Sequence, residues 1–460
     1  MSTKAIARDQ CLAPERVNAP VYGGRYRKLF DSLPALDAED EALHALGSPG
    51  GICDDASAEG PTDGEMAAGW PFFGQFIAHD ITADRSPLGH RANPEQVQNF
   101  RTPKANLEGV YAAGPVGSPY LFQRDDPAKL LLGEGGHDVP RNHEGIALVG
   151  DQRNDTHLFM SQMQLGFIKT HNLIVERLRE DGVDEAGVFE DARRATTWHY
   201  QWVILREFLP LLVGDELIAE LLGEGTTLFQ PGEEPYIPFE FADAAYRYGH
   251  SQIRDTYRIN RKVGPVPLLP DLMGFGAVPL DRAIDWSLQF DVPGKEPAQR
   301  SKKIDGTLPR SLISLPRQIS GEDEGSPYSS LANRDLQRGQ AVGLPSGEAV
   351  ARELGLEPLS SDQVGLSGAG WERETPLWLY VLKEAEILED GNRLGPVGGR
   401  IVGEVLVGII DADPESFRSV DPSWEPTLPA HEPGGFGIGD VLAPAASHRG
   451  GAVTAPAARD

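Results

Sequence analysis

The sequence has only two cysteines in 460 residues, Cys11 and Cys53, and both lie near its start. Two cysteines cannot form a disulfide framework for a chain of this length. They also match neither the ligand set of a zinc site nor that of an iron–sulfur cluster. A metal in this protein would therefore be held by histidine and carboxylate side chains, or would arrive inside a cofactor.

Long hydrophobic runs are absent as well. The apolar run at 401–410 is interrupted by Gly403 and Glu404 and is too short to cross a bilayer. The first residues contain no apolar stretch of the kind that directs secretion. We therefore expect a cytoplasmic location, and leave open export by a route without a cleavable signal.

Positive charge is scarce. The 42 Lys and Arg residues stand against 69 Asp and Glu residues, which gives a formal net charge of −27. A chain of this charge repels nucleic acids and anionic lipids, so the composition argues against both as partners. The hydrophobic fraction of 40% is nevertheless sufficient for a large packed core.

Helical periodicity is the main structural pattern, and strand patterns are sparse. Apolar residues recur at helical spacing over 155–178, with Asn154 or Asp155 as a suitable N-terminal cap. Further helices are predicted at 70–80, 196–209 (ended by Pro210), 241–255, 331–344, 375–390 and 397–410.

The remaining stretches define the domain organisation. Residues 81–150 and 257–330 are rich in Pro and Gly, which predicts long loops with short turns. The chain is therefore predicted to be mainly α, with one large helical domain over 51–428, long irregular loops and few short strands. An N-terminal arm (1–50) precedes this domain, and a flexible C-terminal tail (429–460) follows it.

The segment 74–86 carries the first polar residues that require partners. Gln75 and His79 are four residues apart and share one face of the predicted helix, whereas Asp80 is turned about 100° away. Polar groups facing two directions from an apolar helix indicate either a functional site or a buried histidine and a capping aspartate. The choice between them depends on partners elsewhere in the chain.

Three other stretches supply such partners, on separate predicted elements. They contain Arg153 with Asp151, Arg247 with His250, and Asp335 with Arg338. The residues of the last two pairs are three apart and share a helical face. With His79, the set comprises two histidines, three arginines and carboxylates.

These stretches resemble the animal-type haem peroxidase superfamily (peroxidase–cyclooxygenase), in a compact form like its bacterial branch. The similar segments follow the family's order from about 65 to 410 and read GQFIAHDIT (74–82), RTPKANLEGVYAAGP (101–115), GDQRNDTHLFMSQMQLGFIKTHNLIVERL (150–178), AYRYGHSQIR (245–254), LQRGQAVGLPSG (336–347), TPLWLYVLKEAE (375–386) and LGPVGGRIVGEV (394–405). The resemblance implies a haem peroxidase that uses hydrogen peroxide to oxidise small organic donors or inorganic anions through a ferryl intermediate.

The resemblance also assigns residue roles. His79 matches the distal histidine, which takes a proton from peroxide and returns it to the leaving oxygen. Arg153 matches the distal arginine, which stabilises developing negative charge. Gln75 matches the distal-pocket glutamine that borders the position of small anions and water. His250 matches the axial ligand of the haem iron.

The resemblance also assigns roles to residues around the axial histidine. Arg247 and Arg338 match arginines near the haem propionates. Asp335 stands where the family usually has an Asn that bonds the other ring nitrogen of the axial histidine. A carboxylate there is predicted to give the imidazole more anionic character and to lower the iron's reduction potential.

The resemblance further implies a calcium site at Asp80 and the 102–108 loop. The other candidate ligands are Thr102, the Lys104 carbonyl, Asn106 and Glu108. The family more often has Asp where Asn106 stands. The alternative is that Asp80 simply caps or pairs with the loop.

The haem is predicted to be haem b, bound without a covalent link. Vertebrate members form esters from an Asp directly before the distal histidine and a Glu three residues after the distal arginine. Those positions are Ala78 and Thr156 here, and neither can form the ester. Of the remaining histidines, His171 is predicted to pack or hydrogen-bond on the long helix, and His157 to be surface-exposed or structural.

Two alternative functions remain open from the sequence. Fatty-acid dioxygenases of the superfamily place a radical-forming Tyr three residues before the axial histidine, where this chain has Arg247. A non-catalytic haem-binding scaffold is the other alternative, and the joint presence of His79, Arg153 and His250 argues against it. The predicted partners are hydrogen peroxide and a small-molecule reductant; the sequence names neither that reductant nor the oligomeric state.

Overall fold

The computed structural model describes residues 24–55, 62–83, 97–232, 235–323 and 325–442. Its longer helices are α1 (Asp40–Gly47), α2 (Trp70–Ile81), α3 (Leu158–Glu180), α4 (Val188–Val203), α5 (Asp215–Glu224), α6 (Leu331–Ala341), α7 (Gly347–Glu353), α8 (Leu377–Leu388) and α9 (Pro396–Asp411). Short α-helical turns lie at Glu108–Tyr111, Gly114–Gly117, Leu209–Val213, Phe239–Ala242, Arg310–Ile313, Arg317–Ser320, Ser361–Val364, Phe417–Val420 and Ile438–Leu442. Short 3-10 turns lie at Pro119–Leu121, Glu134–Gly136, Gln152–Asp155, Ala245–His250, Leu280–Arg282, Trp286–Leu288, Pro327–Ser329 and Ser367–Ala369.

Strands are short. They are β1 (Gly24–Arg27), β2 (Asp63–Ala67), β3 (Gln98–Asn99), β4 (Tyr236–Pro238), β5 (Thr256–Tyr257), β6 (Val266–Pro267) and β7 (Arg300–Lys302). β1 pairs antiparallel with β3 and parallel with β4, while β2–β7 and β5–β6 form antiparallel pairs. The structure therefore confirms the predicted class, mainly α with few short strands.

Helix α2 runs through the core. Its Phe72 stacks on Phe159 of α3 with ring centroids 4.0 Å apart, and its Phe76 stacks on Phe167 at 4.9 Å. Nearly every residue of α2 is buried, and Gln75 and Ala78 are the more accessible ones. A helix that is apolar around most of its circumference is stable only inside the protein. The polar groups of α2 are therefore held in place by packing on several sides.

The helices predicted at 70–80, 331–344, 375–390 and 397–410 are confirmed as α2, α6, α8 and α9 to within three residues at each end. The helix predicted from 155 begins at Leu158, and the residue that caps it is His157. Asn154 and Asp155 are not caps, because they form a 3-10 turn whose side chains bond elsewhere.

Two helix predictions are wrong. The segment 241–255 is not one helix: Ala244 has a non-helical backbone, and a 3-10 turn follows at Ala245–His250. The helix predicted to end at Pro210 begins eight residues earlier than predicted, at Val188, and continues through a π-helical stretch, Ile204–Phe208, into Leu209–Val213. Pro210 lies in the first turn of that last segment, where its missing N–H matters least.

The segments predicted as arm and tail contain ordered elements. β1 and α1 lie within 1–50, and the turn Ile438–Leu442 packs on α3, where Thr170 Oγ1 donates to the Val441 carbonyl at 2.7 Å. Ordered packing thus extends beyond residue 428, and residues 443–460 lie outside the described part. Among the described helices, none combines the length and apolarity needed to span a bilayer.

Candidate active site

The imidazole of His79 is oriented by a chain of buried amides. The Gly109 carbonyl can only accept, and it accepts from Gln164 Nε2 at 3.2 Å. Gln164 Oε1 therefore accepts from Asn154 Nδ2 at 2.9 Å, which turns Asn154 Oδ1 toward His79 Nδ1 at 2.8 Å. His79 must then carry its proton on Nδ1, which leaves Nε2 with a lone pair and no hydrogen bond to any described residue.

His79 is neutral in this environment. Burial, reinforced by the charge of Arg153, lowers its pKa from 6.5 to about 3. A neutral imidazole with a free Nε2 is a proton acceptor. The state of His79 is thus compatible with the base predicted from the sequence.

Arg153 is fixed at the end of α2. Its Nη2 donates to the carbonyls of His79 (2.9 Å) and Thr82 (2.7 Å), and its Nε and Nη2 bond the carboxylate of Asp151. Burial alone would raise the pKa of Asp151, but hydrogen bonds and charge from Arg153, with the charge of Arg101, lower it well below its usual range. The predicted Arg153–Asp151 pair is present, and it fixes a permanent positive charge beside His79.

Gln75 has a partner that sequence reasoning missed. Its Oε1 lies 2.9 Å from Nε2 of His157, a residue predicted only as surface-exposed or structural. The ring of His157 packs on Phe72 with centroids 5.3 Å apart. Its position in the sequence could have indicated a place near the site, because His157 directly follows the GDQRNDT segment that carries Arg153.

On the other side of the site, His250 is held by Asp335. Its Nδ1 lies 2.5 Å from Asp335 Oδ2, and the Asp335 side chain is fully buried on α6. Arg247 Nη1 lies 3.4 Å from the second carboxylate oxygen. Residues three apart eclipse in a 3-10 turn, so Arg247 and His250 meet the same carboxylate.

This geometry leaves His250 ready to bind a metal. Because the Asp335 carboxylate accepts a hydrogen bond from Nδ1–H, the free lone pair is on Nε2, which has no hydrogen bond within the described ranges. The His250 side chain is 28% exposed, and a Cβ added at Gly249 would meet no atom within 4 Å. Space therefore exists beside this histidine.

Two arginines lie on the same side. Arg247 and Arg338 both approach Asp243, at 3.4 and 3.9 Å, and each side chain is about one quarter exposed. Arg247 Nε is buried without a hydrogen-bond acceptor among the described residues. A guanidinium with an unused donor is suited to a carboxylate such as a haem propionate. The donor set therefore fits the haem that the resemblance implies.

The two positions of covalent attachment offer no carboxylate. Ala78 is apolar, and the hydroxyl of Thr156 donates to the Arg153 carbonyl at 2.9 Å. The neighbouring Asp155 is buried and accepts two hydrogen bonds from Arg141, at 2.7 and 2.8 Å. Asp155 is therefore engaged with Arg141.

Asp80 faces the 102–108 loop, as the sequence predicted. Its Oδ2 accepts from the Leu107 amide at 2.9 Å, while its Oδ1 is buried beside the Tyr200 hydroxyl without a well-formed hydrogen bond. Burial, with a smaller effect from the charge of Glu108, raises the pKa of Asp80 to about 7. Asp80 is thus a buried carboxylate with incomplete compensation.

Three of the other candidate calcium ligands, Thr102, Asn106 and Glu108, already have hydrogen bonds in and around the loop. Glu108 accepts from Arg101 and from the Thr102 hydroxyl, both at 2.8 Å, and Asn106 Oδ1 accepts from the Glu108 amide at 3.1 Å. Across the described ranges, no group of three or more His, Cys, Asp or Glu side chains is arranged to hold a metal ion. Calcium here would depend on amide, hydroxyl and carbonyl oxygens.

Comparison with known proteins gives one family. The model of the animal haem peroxidase domain matches residues 92–363, more than half of the chain. This match contains Arg153, His250 and Asp335 and begins after Gln75 and His79.

Curated relatives are named as peroxidases. The chain is 24% identical to chorion peroxidase of Aedes aegypti over 300 residues, covering 62% of this chain and 36% of that protein. It is 25% identical to myeloperoxidase of Mus musculus over 319 residues, covering 64% and 42%. The chain therefore spans less than half the length of these relatives.

Solved structures show the same fold. Peroxidase A of Dictyostelium discoideum aligns over 92% of this chain and 91% of its own, with a TM-score of 0.61 and 14% identity. The fatty acid alpha-dioxygenase of Oryza sativa aligns over 85% and 76%, also with a TM-score of 0.61 and 14% identity. At this identity the likeness concerns the fold alone.

Proposed function

Since the chain belongs to the animal haem peroxidase family, we propose that it is a haem-dependent peroxidase that uses hydrogen peroxide to oxidise small organic donors or inorganic anions. One observation carries this proposal. His79 and His250 each have Nδ1 bonded to a buried acceptor, so that Nε2 is the free nitrogen on both. One is suited to take a proton, and the other to bind iron.

Haem b, when bound, supplies the redox chemistry by which the O–O bond of peroxide is cleaved. His250 would hold it through Nε2, and Arg247 and Arg338 would bind its propionates. Because Ala78 and Thr156 cannot form esters, we propose that the haem is bound without a covalent link. Acid–acetone extraction should then remove it completely, and haem retained on the protein would contradict this.

The distal residues have separate tasks. His79 Nε2 takes the proton from one peroxide oxygen and delivers it to the other, which leaves as water. Arg153, fixed by Asp151, stabilises the negative charge that develops on the departing oxygen. The carbonyls of His79 and Thr82 and the carboxylate of Asp151 hold the guanidinium in one orientation.

Asp335 acts through His250. The hydrogen bond from His250 Nδ1 to a fully buried carboxylate increases electron donation by the imidazole. We propose that this lowers the iron's reduction potential. Asp335 is thus a positioning and electronic residue and does not contact the substrate.

Calcium at Asp80 forms the next part of the proposal. Its support is the Asp80 Oδ1, a buried oxygen without a well-formed hydrogen bond, whose charge a cation would compensate. The alternative is a loop closed only by its own hydrogen bonds, which Glu108 and Thr102 already make.

A fatty-acid dioxygenase is the alternative activity. The residue three before His250 is Arg247, and its guanidinium lies against Asp335, so no phenol occupies that place. Tyr246 and Tyr248 instead direct their hydroxyls toward Gly74 of α2, where an added Cβ would lie 3.8 and 3.5 Å from them. These contacts favour the peroxidase.

A steady-state assay tests the proposal. The haem-loaded protein should oxidise a phenol such as guaiacol in the presence of peroxide, and His79→Leu should reduce the rate by at least about a hundredfold. His171→Gln is the matched control, because His171 bonds Tyr111 and the Ala128 carbonyl away from the site. Oxygen uptake with linoleate and a trace of peroxide, without phenol oxidation, would favour the dioxygenase instead.

A further inference from the structure

His157 lies against the site but has no task in the mechanism above. It is the N-terminal cap residue of α3, and its carbonyl accepts from the Met160 amide at 3.0 Å. Its ring packs on Phe72 of α2. The start of one helix and the side of another therefore fix the ring.

The protonation state of His157 follows from its surroundings. Burial lowers its pKa to about 4, so the ring is neutral near pH 7 and carries one N–H. Nδ1 is buried and has no hydrogen-bond partner among the described residues, whereas Nε2 lies 2.9 Å from Gln75 Oε1. An N–H buried without an acceptor is rare and costly, so the proton belongs on Nε2, which donates to Gln75.

This hydrogen bond sets the orientation of the Gln75 amide. With Oε1 turned to His157, the NH₂ group is directed away from it, and Gln75 Nε2 has no hydrogen bond to any described residue. Gln75 and His79 are one turn apart on the same face of α2. The amide donor therefore lies on the face of α2 from which the His79 imidazole also projects.

We propose that His157 is a positioning residue that holds the Gln75 amide with its NH₂ toward the pocket, so that small inorganic anions meet a hydrogen-bond donor there. The reversed amide would present an oxygen and repel an anion. The inference rests on the proposed function, since the pocket that Gln75 would serve is the one in which haem is proposed to bind. It names His157 as a determinant of selectivity for anions.

Fluoride binding to the ferric haem protein, followed by the Soret shift, measures this directly. His157→Phe keeps a ring against Phe72 but removes the donor, and should weaken fluoride binding by roughly tenfold. His157→Asn is too short to reach Gln75 and should give the same loss, while His157→Gln restores an N–H and should stay within about threefold of wild type. Carbon monoxide binding to the ferrous protein should change little, because this ligand is uncharged.

A double-mutant cycle separates action through Gln75 from a general effect. Gln75→Leu alone should weaken fluoride binding, and adding His157→Phe should cause no further loss. His171→Phe removes another buried histidine and should leave fluoride binding unchanged. A full additional loss in the double variant would overturn the inference.

The inference and the proposed function fail in different ways. A wild-type protein that takes up no haem contradicts the proposed function, and the inference with it. Normal haem uptake, with the same fluoride affinity in His157→Phe, His157→Asn and wild type, overturns the inference alone.

Discussion

At the scale of single residues, the site depends on which ring nitrogen of each histidine carries a proton. His79 and His250 use different acceptors, an amide oxygen for the first and a carboxylate for the second. The sequence predicts both histidines, because they lie in motifs. It does not predict Asn154, Gln164 or His157, because each acts through a contact between distant segments.

Replacing Asn154 by Leu should slow the reaction with peroxide. The variant keeps the branched shape of the side chain but removes the acceptor of His79 Nδ1, so Nε2 is no longer fixed as the base. We expect the second-order rate constant to fall by roughly a hundredfold, with haem affinity unchanged. Stopped-flow absorption after mixing with peroxide measures it, and a rate equal to wild type would contradict this role of Asn154.

Replacing Asp335 by Asn should raise the ferric/ferrous midpoint potential. The neutral amide replaces the anionic acceptor of the His250 Nδ1–H. We expect the midpoint potential to rise by roughly 60 mV, equivalent to about 1.4 kcal/mol for one electron. Spectroelectrochemical titration gives the midpoint. The control is Glu348→Gln, which changes a buried carboxylate bonded to Thr375. An unchanged or lower midpoint in Asp335→Asn would disprove the effect.

Asp80→Asn distinguishes a calcium site from a closed loop. Without a cation, burial raises the pKa of Asp80 to about 7 in the folded protein, whereas the unfolded chain ionises at about pH 4. The stability of the folded protein therefore falls as the pH rises from about 4 to 7. Calcium would reverse this at pH 8 by binding the ionised form, and would lose its effect near pH 5. We expect calcium to raise the Tm of wild type at pH 8 and not that of the variant.

The opposite result would exclude the calcium site. If neither calcium nor a chelator changes the Tm of wild type, and Asp80→Asn is more stable than wild type at pH 8, then Asp80 only closes the loop. The amide retains an oxygen for the Leu107 N–H, so the variant preserves the hydrogen bond of the loop.

At the scale of elements, the segment 151–157 before α3 is supported from outside by the loop around Gly274. The amides of Gly274 and Phe275 donate to the carbonyls of Thr156 and Asp155, both at 3.0 Å. A Cβ at Gly274 would lie 1.8 Å from the Asp155 carbonyl oxygen, which is far inside van der Waals contact. Only glycine permits this approach.

Gly274→Ala should therefore destabilise the protein. Moving the loop away from Asp155 is expected to cost about 1–3 kcal/mol of unfolding free energy. Gly276→Ala is the matched control, since a Cβ there meets nothing within 4 Å and should change the stability by no more than about 0.5 kcal/mol. Urea unfolding of both variants checks this, and equal stabilities would show that the loop does not support the segment.

The elements also show where sequence patterns are informative. Strong apolar periodicity gave α2, α3, α8 and α9 correctly, because each buries a wide face. The 3-10 turn Ala245–His250 could not be predicted, since its shape is set by contacts of His250 and Arg247 with α6. α5 was missed, although Gly214 and Gly225 bound it in the sequence.

At the scale of the whole molecule, the site is assembled from four regions of the chain. They are 75–80 on α2, 151–157 before α3, the 245–250 turn and 335–338 on α6. The buried apolar core holds these regions together, which is why the set of residues was predictable from ordered motifs while its geometry was not. His157 was missed because its role depends on its contact with Gln75 of α2.

The Soret spectrum of the haem-loaded protein before and after one equivalent of hydrogen peroxide decides whether this protein is a haem peroxidase. Wild type should show a histidine-ligated ferric spectrum that changes rapidly with peroxide. His79→Leu should keep the ferric spectrum and react at least about a hundredfold more slowly, and His250→Ala should alter the ferric spectrum itself. A wild-type protein that binds no haem, or whose bound haem does not react with peroxide, would contradict the assignment.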